Sequence, residues 1–132
     1  MIAELYERWL LRMWNGDFAL AHELVTPDFT GHWPGMDVSG PDGLTEALRQ
    51  GHEPFENVTV TLDVGPVVDG DLVAARWTFS GDYLGTIPGA TARKGTRVAF
   101  SGHDLLRVSE GRFAEYWVIS DAQTFSRQLG IG

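Results

Sequence analysis

The chain has 132 residues, a formal net charge of −8 and no cysteine. This length predicts a single domain over residues 1–132, while the acidic balance argues against nucleic acid or an anionic membrane as a partner. Without cysteine there is no disulfide, thiolate metal site or thiol nucleophile. The charged N-terminal segment and the lack of an apolar stretch near the roughly 20 residues that span a bilayer predict a cytoplasmic protein.

The first half of the chain is predicted to be mainly helical. Apolar residues over positions 2–13 recur with the period of an amphipathic helix, and Asn-Gly ends the pattern. A second, shorter helix is expected over residues 17–24. Residues 29–35 are expected to form a loop, and a third helix follows at about residues 39–50, with Pro41 in its first turn.

The second half is predicted to form strands, because its apolar residues alternate with polar ones. Four strands are expected, at residues 57–64, 72–83, 96–108 and 112–121. A loop that contains glycine and proline separates the second strand from the third, and a short tail follows at residues 123–129. Helices followed by a meandering antiparallel sheet define an α+β domain. A strongly bent sheet wrapped around a helix would leave a cone-shaped cavity.

The last predicted strand ends on a carboxylate that is a candidate for acid–base chemistry. Alternation along an extended chain puts Asp121 on the same face as Trp117 and Ile119. An apolar neighbourhood raises the pKa of a carboxyl group toward the range in which it can exchange protons. The alternative is a solvated acid that caps the C-terminal segment. We predict that Asp121 is the catalytic residue.

His103 and Asp104 are adjacent in the third predicted strand, so only one of them can share a cavity with Asp121. An imidazole can donate a proton to a reacting oxygen or accept one from it, which makes His103 a candidate partner. The apolar residues of this strand have the parity of Asp104, but Gly102 can mark a bulge that resets the alternation. The sequence leaves open which of the two side chains points inward.

Other kinds of site have little support in the sequence. The histidines lack the spacing that presents two imidazoles on one face of a helix, so no metal site is expected. There is no phosphate-binding loop and no Gly-x-Ser-x-Gly nucleophile elbow. His32 and Trp33, in the predicted loop, can orient a polar ligand edge and cover its apolar body, although a loop histidine is more often exposed. The two functions that the sequence still supports are proton-transfer catalysis and the simple binding of a small molecule.

Several segments of the chain form a recognisable set. They are residues 73–81, 102–107, 110–117 and 128–130, together with Asp121. These segments resemble SnoaL-like polyketide cyclases, which belong to the nuclear transport factor 2-like superfamily. Residues 14–18, residues 27–29 and His32 also resemble the passage from helix to loop in this family. The similarity covers most of the chain, and its C-terminal part is the more specific.

This resemblance implies a cone-shaped α+β barrel in which three N-terminal helices pack against a strongly curved antiparallel sheet, assembled as a homodimer or homotetramer. It also implies intramolecular aldol condensation without a metal or cofactor. The general acid/base aspartate of the family matches Asp121, and its partner histidine on the preceding strand would be His103. Two departures concern the ligand, because Tyr83 stands where members often have histidine and the loop at residues 85–95 is irregular.

The expected mechanism begins when Asp121 removes a proton from a carbon next to a carbonyl group, after which the enolate attacks a second carbonyl. His103 or His32 would donate to the oxygen that gains negative charge. The substrate is expected to be an apolar, polycyclic or carbonyl-bearing small molecule. The residues expected to hold it by stacking are Trp33, Trp77, Trp117 and Tyr83.

Three alternatives stay open at this stage. An isomerase of the ketosteroid type would use Asp121 to move a proton along a conjugated ketone. An epoxide hydrolase would need Arg76, Asp104 and Asp121 to face inward together, which alternation disfavours for Arg76. A non-catalytic binding module would use the same pocket without chemistry.

Overall fold

Helices precede the first strand, cross between the second and third strands, and follow the last strand. The computed structural model describes residues 1–131. The helices are α1 (Ile2–Glu7), which continues directly as a π-helical segment (Arg8–Met13), then a 3-10 turn (Phe18–Leu20), α2 (Ala21–Leu24), α3 (Gly40–His52) and α4 (Ala122–Leu129). Within residues 1–131, no helix is long and apolar enough to cross a membrane.

Six strands form one sheet. They are β1 (Val25–Trp33), β2 (Met36–Ser39), β3 (Phe55–Asp69), β4 (Leu72–Tyr83), β5 (Arg97–Ser109) and β6 (Arg112–Ser120). Their order in the sheet is β2-β1-β6-β5-β4-β3. Neighbouring strands are antiparallel except for β1 and β6, which run parallel. Register shifts between β3 and β4 mark bulges, and bulges bend a sheet.

The predicted α+β class, with helices packed on a strongly curved sheet, is confirmed. Two details differ from the sequence prediction, because α4 adds a fourth helix and β1 and β2 occupy the segment that was expected to be a loop. Gly31 pairs with Val38 on one side and with Tyr116 on the other. The segment lacks the regular alternation of apolar and polar residues that predicts a strand. It is extended because it pairs with β2 on one side and with β6 on the other.

The concave side of the sheet packs against the N-terminal helices. Trp9 is completely buried, and its ring lies 5.3 Å from that of Phe113 and 4.9 Å from that of Tyr116, centroid to centroid, both in edge-to-face geometry. Helix α3 adds Leu44 and Leu48, which are four positions apart and therefore share one helical face. This aromatic and aliphatic core fixes the wall of a cavity between the helices and the sheet.

Strand β5 shows which of its two faces points toward the helices. Its buried positions include Val98, Asp104 and Leu106, whereas His103 and Leu105 are exposed. The alternation runs through Gly102 without interruption, because Gly102 pairs with both Trp77 and Ser120 in regular register. The question left open by the sequence is therefore answered in favour of Asp104 as the inward residue.

Candidate active site

A cavity of about 210 Å³ lies between the helices and the concave face of the sheet. Its walls are mainly aromatic and are supplied by Trp14, Trp33, Trp77, Phe79, Phe100 and Phe125. Asp104, Tyr116 and Ser120 give it a small polar region. An apolar pocket with a few convergent polar groups is the usual form of a small-molecule site.

Asp104 is the one buried carboxylate among residues 1–131, with 3% of its surface exposed. Its Oδ1 accepts hydrogen bonds from the Trp77 indole N–H at 2.8 Å and the Tyr116 hydroxyl at 2.7 Å. Its Oδ2 accepts a third from the Tyr6 hydroxyl at 2.8 Å. The three donors come from β4, β6 and α1, so this one carboxylate ties the sheet to the first helix.

Burial dominates the protonation of this group. Loss of water raises the pKa of Asp104 to about 6, although hydrogen bonds from Tyr116, Trp77 and Tyr6 favour the ionised form and oppose the increase. The nearby Trp9 indole N–H also favours the ionised form of Asp104, although it does not meet the geometry of a hydrogen bond. Burial raises the pKa values of the Tyr6 and Tyr116 hydroxyls well above their usual range. Both tyrosines therefore stay neutral donors while Asp104 titrates near neutrality.

Two tryptophans of the cavity wall lie directly against glycines. A methyl group on Gly102 would overlap the Trp77 ring and come within 2.9 Å of the Ile119 carbonyl oxygen. A methyl group on Gly31 would overlap the Trp33 ring in the same way. The absence of a side chain at Gly102 lets the Trp77 ring cross the neighbouring strand while its N–H reaches Asp104.

Replacing Gly102 with alanine is expected to destabilise the protein by about 1–3 kcal/mol, because the added methyl forces the Trp77 ring to move. The movement breaks the Trp77–Asp104 hydrogen bond, so the pKa of Asp104 should rise further. Chemical denaturation measures the first effect, and the carboxyl resonance of Asp104 followed by NMR against pH measures the second. Gly51→Ala is the control, since its methyl meets only a contact at 4.0 Å with Trp14; an unchanged pKa of Asp104 in Gly102→Ala would contradict the argument.

The face of β6 that was predicted to line the pocket is the outer face. Tyr116, Val118 and Ser120 reach the cavity. Glu115, Trp117, Ile119 and the neighbouring His32 lie on the other side of the sheet.

His32 and Trp117 form a cluster on this outer face. The two rings stack with centroids 5.5 Å apart, and the His32 nitrogens lie 2.8 Å from Glu115 Oε2 and 3.0 Å from Asp37 Oδ1. Hydrogen bonds to Glu115 and Asp37 raise the pKa of His32. The Arg107 guanidinium lies 5.8 Å from the Trp117 ring, on the same outer surface. The substrate-binding roles predicted for His32 and Trp117 thus have no support from the cavity geometry.

Asp121 lies just beyond β6, at the start of α4, and is exposed. Its carboxylate accepts hydrogen bonds from the Thr124 backbone N–H at 3.0 Å and from the Thr124 hydroxyl at 2.6 Å. These bonds lower the pKa of Asp121 instead of raising it. The prediction that this carboxylate is desolvated is therefore wrong. Asp121 instead caps helix α4, which is the alternative that the sequence offered. By capping α4 it supports the helix that carries Phe125 into the cavity.

His103 and Arg76 lie opposite each other on β5 and β4 and are both exposed. Arg76 pairs with Asp63 at 3.2 Å, away from Asp104. The Asp-Arg-Asp arrangement that an epoxide hydrolase would need is therefore not assembled. The catalytic roles predicted for His103 and Asp121 stay predictions, and neither side chain is among those that line the cavity.

Among the predicted stacking residues, Trp33 and Trp77 line the cavity and Tyr83 does not. Tyr83 is buried, and its hydroxyl oxygen accepts a hydrogen bond from the Ile87 backbone N–H at 2.8 Å. It therefore anchors the loop that follows β4. Within residues 1–131 there is no group of three or more His, Cys, Asp or Glu side chains that could hold a metal ion.

Sequence reasoning missed the polar centre formed by Asp104, Tyr6 and Tyr116. One signal was available, because Asp104 shares the parity of the apolar residues of its strand. Tyr6 lies on the apolar stripe of the first helix, a position that predicts a core residue and gives no sign that its hydroxyl has a polar partner. Nothing in the spacing indicated that these side chains, 98 positions apart for Tyr6 and Asp104, would meet.

Comparisons with known proteins place this geometry in a family. A family model described as SnoaL-like polyketide cyclase matches residues 4–129 of the chain. A search among curated proteins returned no match. TsrD from Streptomyces laurentii is 32% identical, with a TM-score of 0.85 over 99% of this chain and 96% of that one.

Two further solved structures are similar at lower identity. IdmH from Streptomyces antibioticus, a provisionally assigned polyketide cyclase, is 28% identical, with a TM-score of 0.77 over 92% of this chain and 93% of that one. A provisionally assigned polyketide cyclase from Bacillus cereus is 26% identical, with a TM-score of 0.79 over 96% of this chain and 78% of that one. The chain therefore belongs to the SnoaL-like polyketide cyclase family.

Proposed function

We propose that this protein is a cofactor-independent enzyme in which Asp104 acts as general base on a carbonyl-bearing small molecule, with intramolecular aldol condensation as the overall reaction. The observation that carries the proposal is a buried carboxylate with a pKa of about 6 that faces an aromatic cavity. A base with a pKa near the working pH is suited to removing a proton from a carbon acid. Family membership supports cyclisation as the outcome.

The ring-closing step of the proposed reaction is an aldol addition, which conserves all atoms of the substrate. Asp104 takes the proton from a carbon next to a carbonyl group, and the electron pair of the C–H bond moves into an enolate. Protonation weakens the hold of Asp104 on the Tyr116 hydroxyl, which then donates to the enolate oxygen. The enolate carbon attacks a second carbonyl of the same molecule, one C–C bond forms, and the resulting alkoxide recovers the proton from Asp104.

The size of the cavity limits the substrate. A cavity of about 150 Å³ can hold benzene, and sites for drug-sized ligands have about 300–1,000 Å³. The cavity of about 210 Å³ lies between these values. We therefore propose a substrate whose reacting part has one or two rings, which is smaller than the polycyclic molecule expected from the family resemblance.

The pH dependence of proton abstraction tests this assignment. The rate of deuterium exchange at the α-carbon of 2-tetralone, a two-ring ketone, should be lost as the pH falls through about 6, because only ionised Asp104 can accept a proton. An Asp121 mechanism would keep its activity to a pH below the usual carboxylate range, since the pKa of Asp121 is lowered. The matched control is Asp121→Asn, which should retain the exchange rate and its pH profile. Loss of exchange in that variant would refute the assignment to Asp104.

An isomerase shares the first step, so exchange alone does not separate it from a cyclase. The two differ in the products of an authentic dicarbonyl substrate: a cyclase forms a new C–C bond, whereas an isomerase returns the proton to another carbon. A binding module would give no enzyme-dependent exchange with 2-tetralone at any pH.

A further inference from the structure

The charge of the cavity lining indicates what charge its ligand carries. Its lining contains one carboxylate, Asp104, and no lysine, arginine or histidine among residues 1–131. The remaining walls are largely aromatic and include the indole rings of Trp14, Trp33 and Trp77. Aromatic faces carry partial negative charge and attract cations, most strongly those of tryptophan. Both the ionisable group and the walls therefore favour positive charge inside the cavity.

The cavity is also poorly equipped to receive an anion. Three neutral donors around it, the Tyr6 and Tyr116 hydroxyls and the Trp77 N–H, are directed at Asp104. Among the lining residues, the Trp14 indole N–H is a buried donor that has no partner. A carboxylate ligand would bring a second negative charge against Asp104 in a site of low dielectric constant, where like charges repel strongly. The net charge of −8 over the chain adds a long-range repulsion of the same sign.

We propose that the natural ligand is a small aromatic cation, with one or two rings and a positively charged nitrogen, held among the tryptophan rings and paired with Asp104. As a statement about the substrate, this inference rests on the proposed function. Removal of a proton from a neutral ketone leaves an enolate anion in a cavity without a cation. A cationic carbon acid, such as a ketone attached to a protonated or alkylated ring nitrogen, gives a neutral conjugate base and a neutral Asp104. The transfer then cancels two charges, which a site of low dielectric constant favours.

Three probes of matched size test the charge preference by equilibrium dialysis at pH 7.5. They are N-methylquinolinium, a permanent cation; 1-methylnaphthalene, its neutral isostere; and 1-naphthoate, an anion. The cation should bind about tenfold more tightly than the neutral probe, and the anion should bind more weakly than either. Equal affinity for cation and neutral probe, tighter binding of the anion, or no binding of the cation at 0.1 mM would each overturn the proposal.

Two further measurements assign the preference to Asp104. In Asp104→Asn the advantage of the cation should shrink at least threefold, while the affinity for 1-methylnaphthalene should change little. If this variant does not fold, the wild-type protein gives the same information, because the advantage should shrink as the pH falls from 7.5 to 5. The titratable groups that face Asp104 are Tyr6 and Tyr116, which stay neutral over this range. His52 packs behind the cavity wall, with its ring 6.0 Å from that of Phe79, and burial lowers its pKa. The same pH series in His52→Gln should keep the loss of cation preference, which assigns the change to Asp104. A preference independent of pH and of the substitution would reject Asp104 as the counter-ion.

The binding result and the exchange result can fail separately. Cation preference without deuterium exchange in either 2-tetralone or the cationic ketone 4-acetyl-1-methylpyridinium would support the ligand class and reject the proposed chemistry. Exchange of 2-tetralone without cation preference would support the chemistry and reject the ligand class.

Discussion

Asp104→Asn is expected to lower the rate of α-carbon deuterium exchange by about 10²–10⁴-fold, the usual contribution of a general base. Asparagine keeps the shape of the side chain but cannot accept a proton at neutral pH. The three donors from Tyr6, Trp77 and Tyr116 would still surround position 104, so the cavity should keep its form. Exchange rates measured by NMR at pH 7.5, with the fold checked by circular dichroism, give the comparison.

Two controls separate loss of the base from loss of structure. Asp121→Asn changes an exposed carboxylate to an amide that also caps helices well, and should keep the full rate. Tyr116→Phe removes one donor to Asp104 and the proposed donor to the enolate oxygen, and should give a smaller loss than Asp104→Asn. A folded Asp104→Asn protein with the wild-type rate would contradict the role of Asp104 as base.

The exposed position of Asp121 illustrates the limit of reading a face from alternation alone. Strand β6 carries large aromatic residues on both sides, since Tyr116 is buried and Trp117 lies on the outer face. The apolar pattern of this strand is therefore compatible with either face pointing inward. Only the pairing of β6 with β1 and β5, together with the helices packed on one side, decides between the two.

The fold was more predictable than the site, and the reason is physical. Helical and strand periods depend on residues close in the sequence, so the helix over residues 2–13 and strand β4 follow from local patterns. The polar centre depends on contacts between α1, β4, β5 and β6, which no local pattern encodes. The parity of the apolar residues in β5 favours Asp104 over His103, and the regular register at Gly102 shows that no bulge resets it. The raised pKa of Asp104 could not have been predicted from the sequence, since it depends on complete burial.

The free energy of unfolding should depend on pH through Asp104. Its pKa rises from 3.8 to about 6 on folding. Between these values the unfolded chain releases the proton and the folded protein retains it, so stability present below pH 4 is lost as the pH rises through about 6. At about 1.36 kcal/mol per pKa unit, the full loss is about 3 kcal/mol. Urea denaturation of the wild-type protein at pH 4, 5, 6 and 7.5 follows this change.

The comparison with Asp104→Asn isolates the contribution of this one residue. The amide has a single acceptor oxygen, so at least one of the three donors loses its partner and the variant should be less stable at every pH. Because residue 104 no longer titrates, the stability advantage of the wild-type protein should be largest near pH 4. It should shrink by roughly 2–3 kcal/mol at pH 7.5. The carboxylate of Asp121 is exposed and its pKa is lowered, so the comparison of the wild-type protein with Asp121→Asn should not show this shrinkage. A wild-type advantage that stays constant from pH 4 to pH 7.5 would mean that Asp104 is ionised throughout, and the proposed base would then lack the pKa that its task requires.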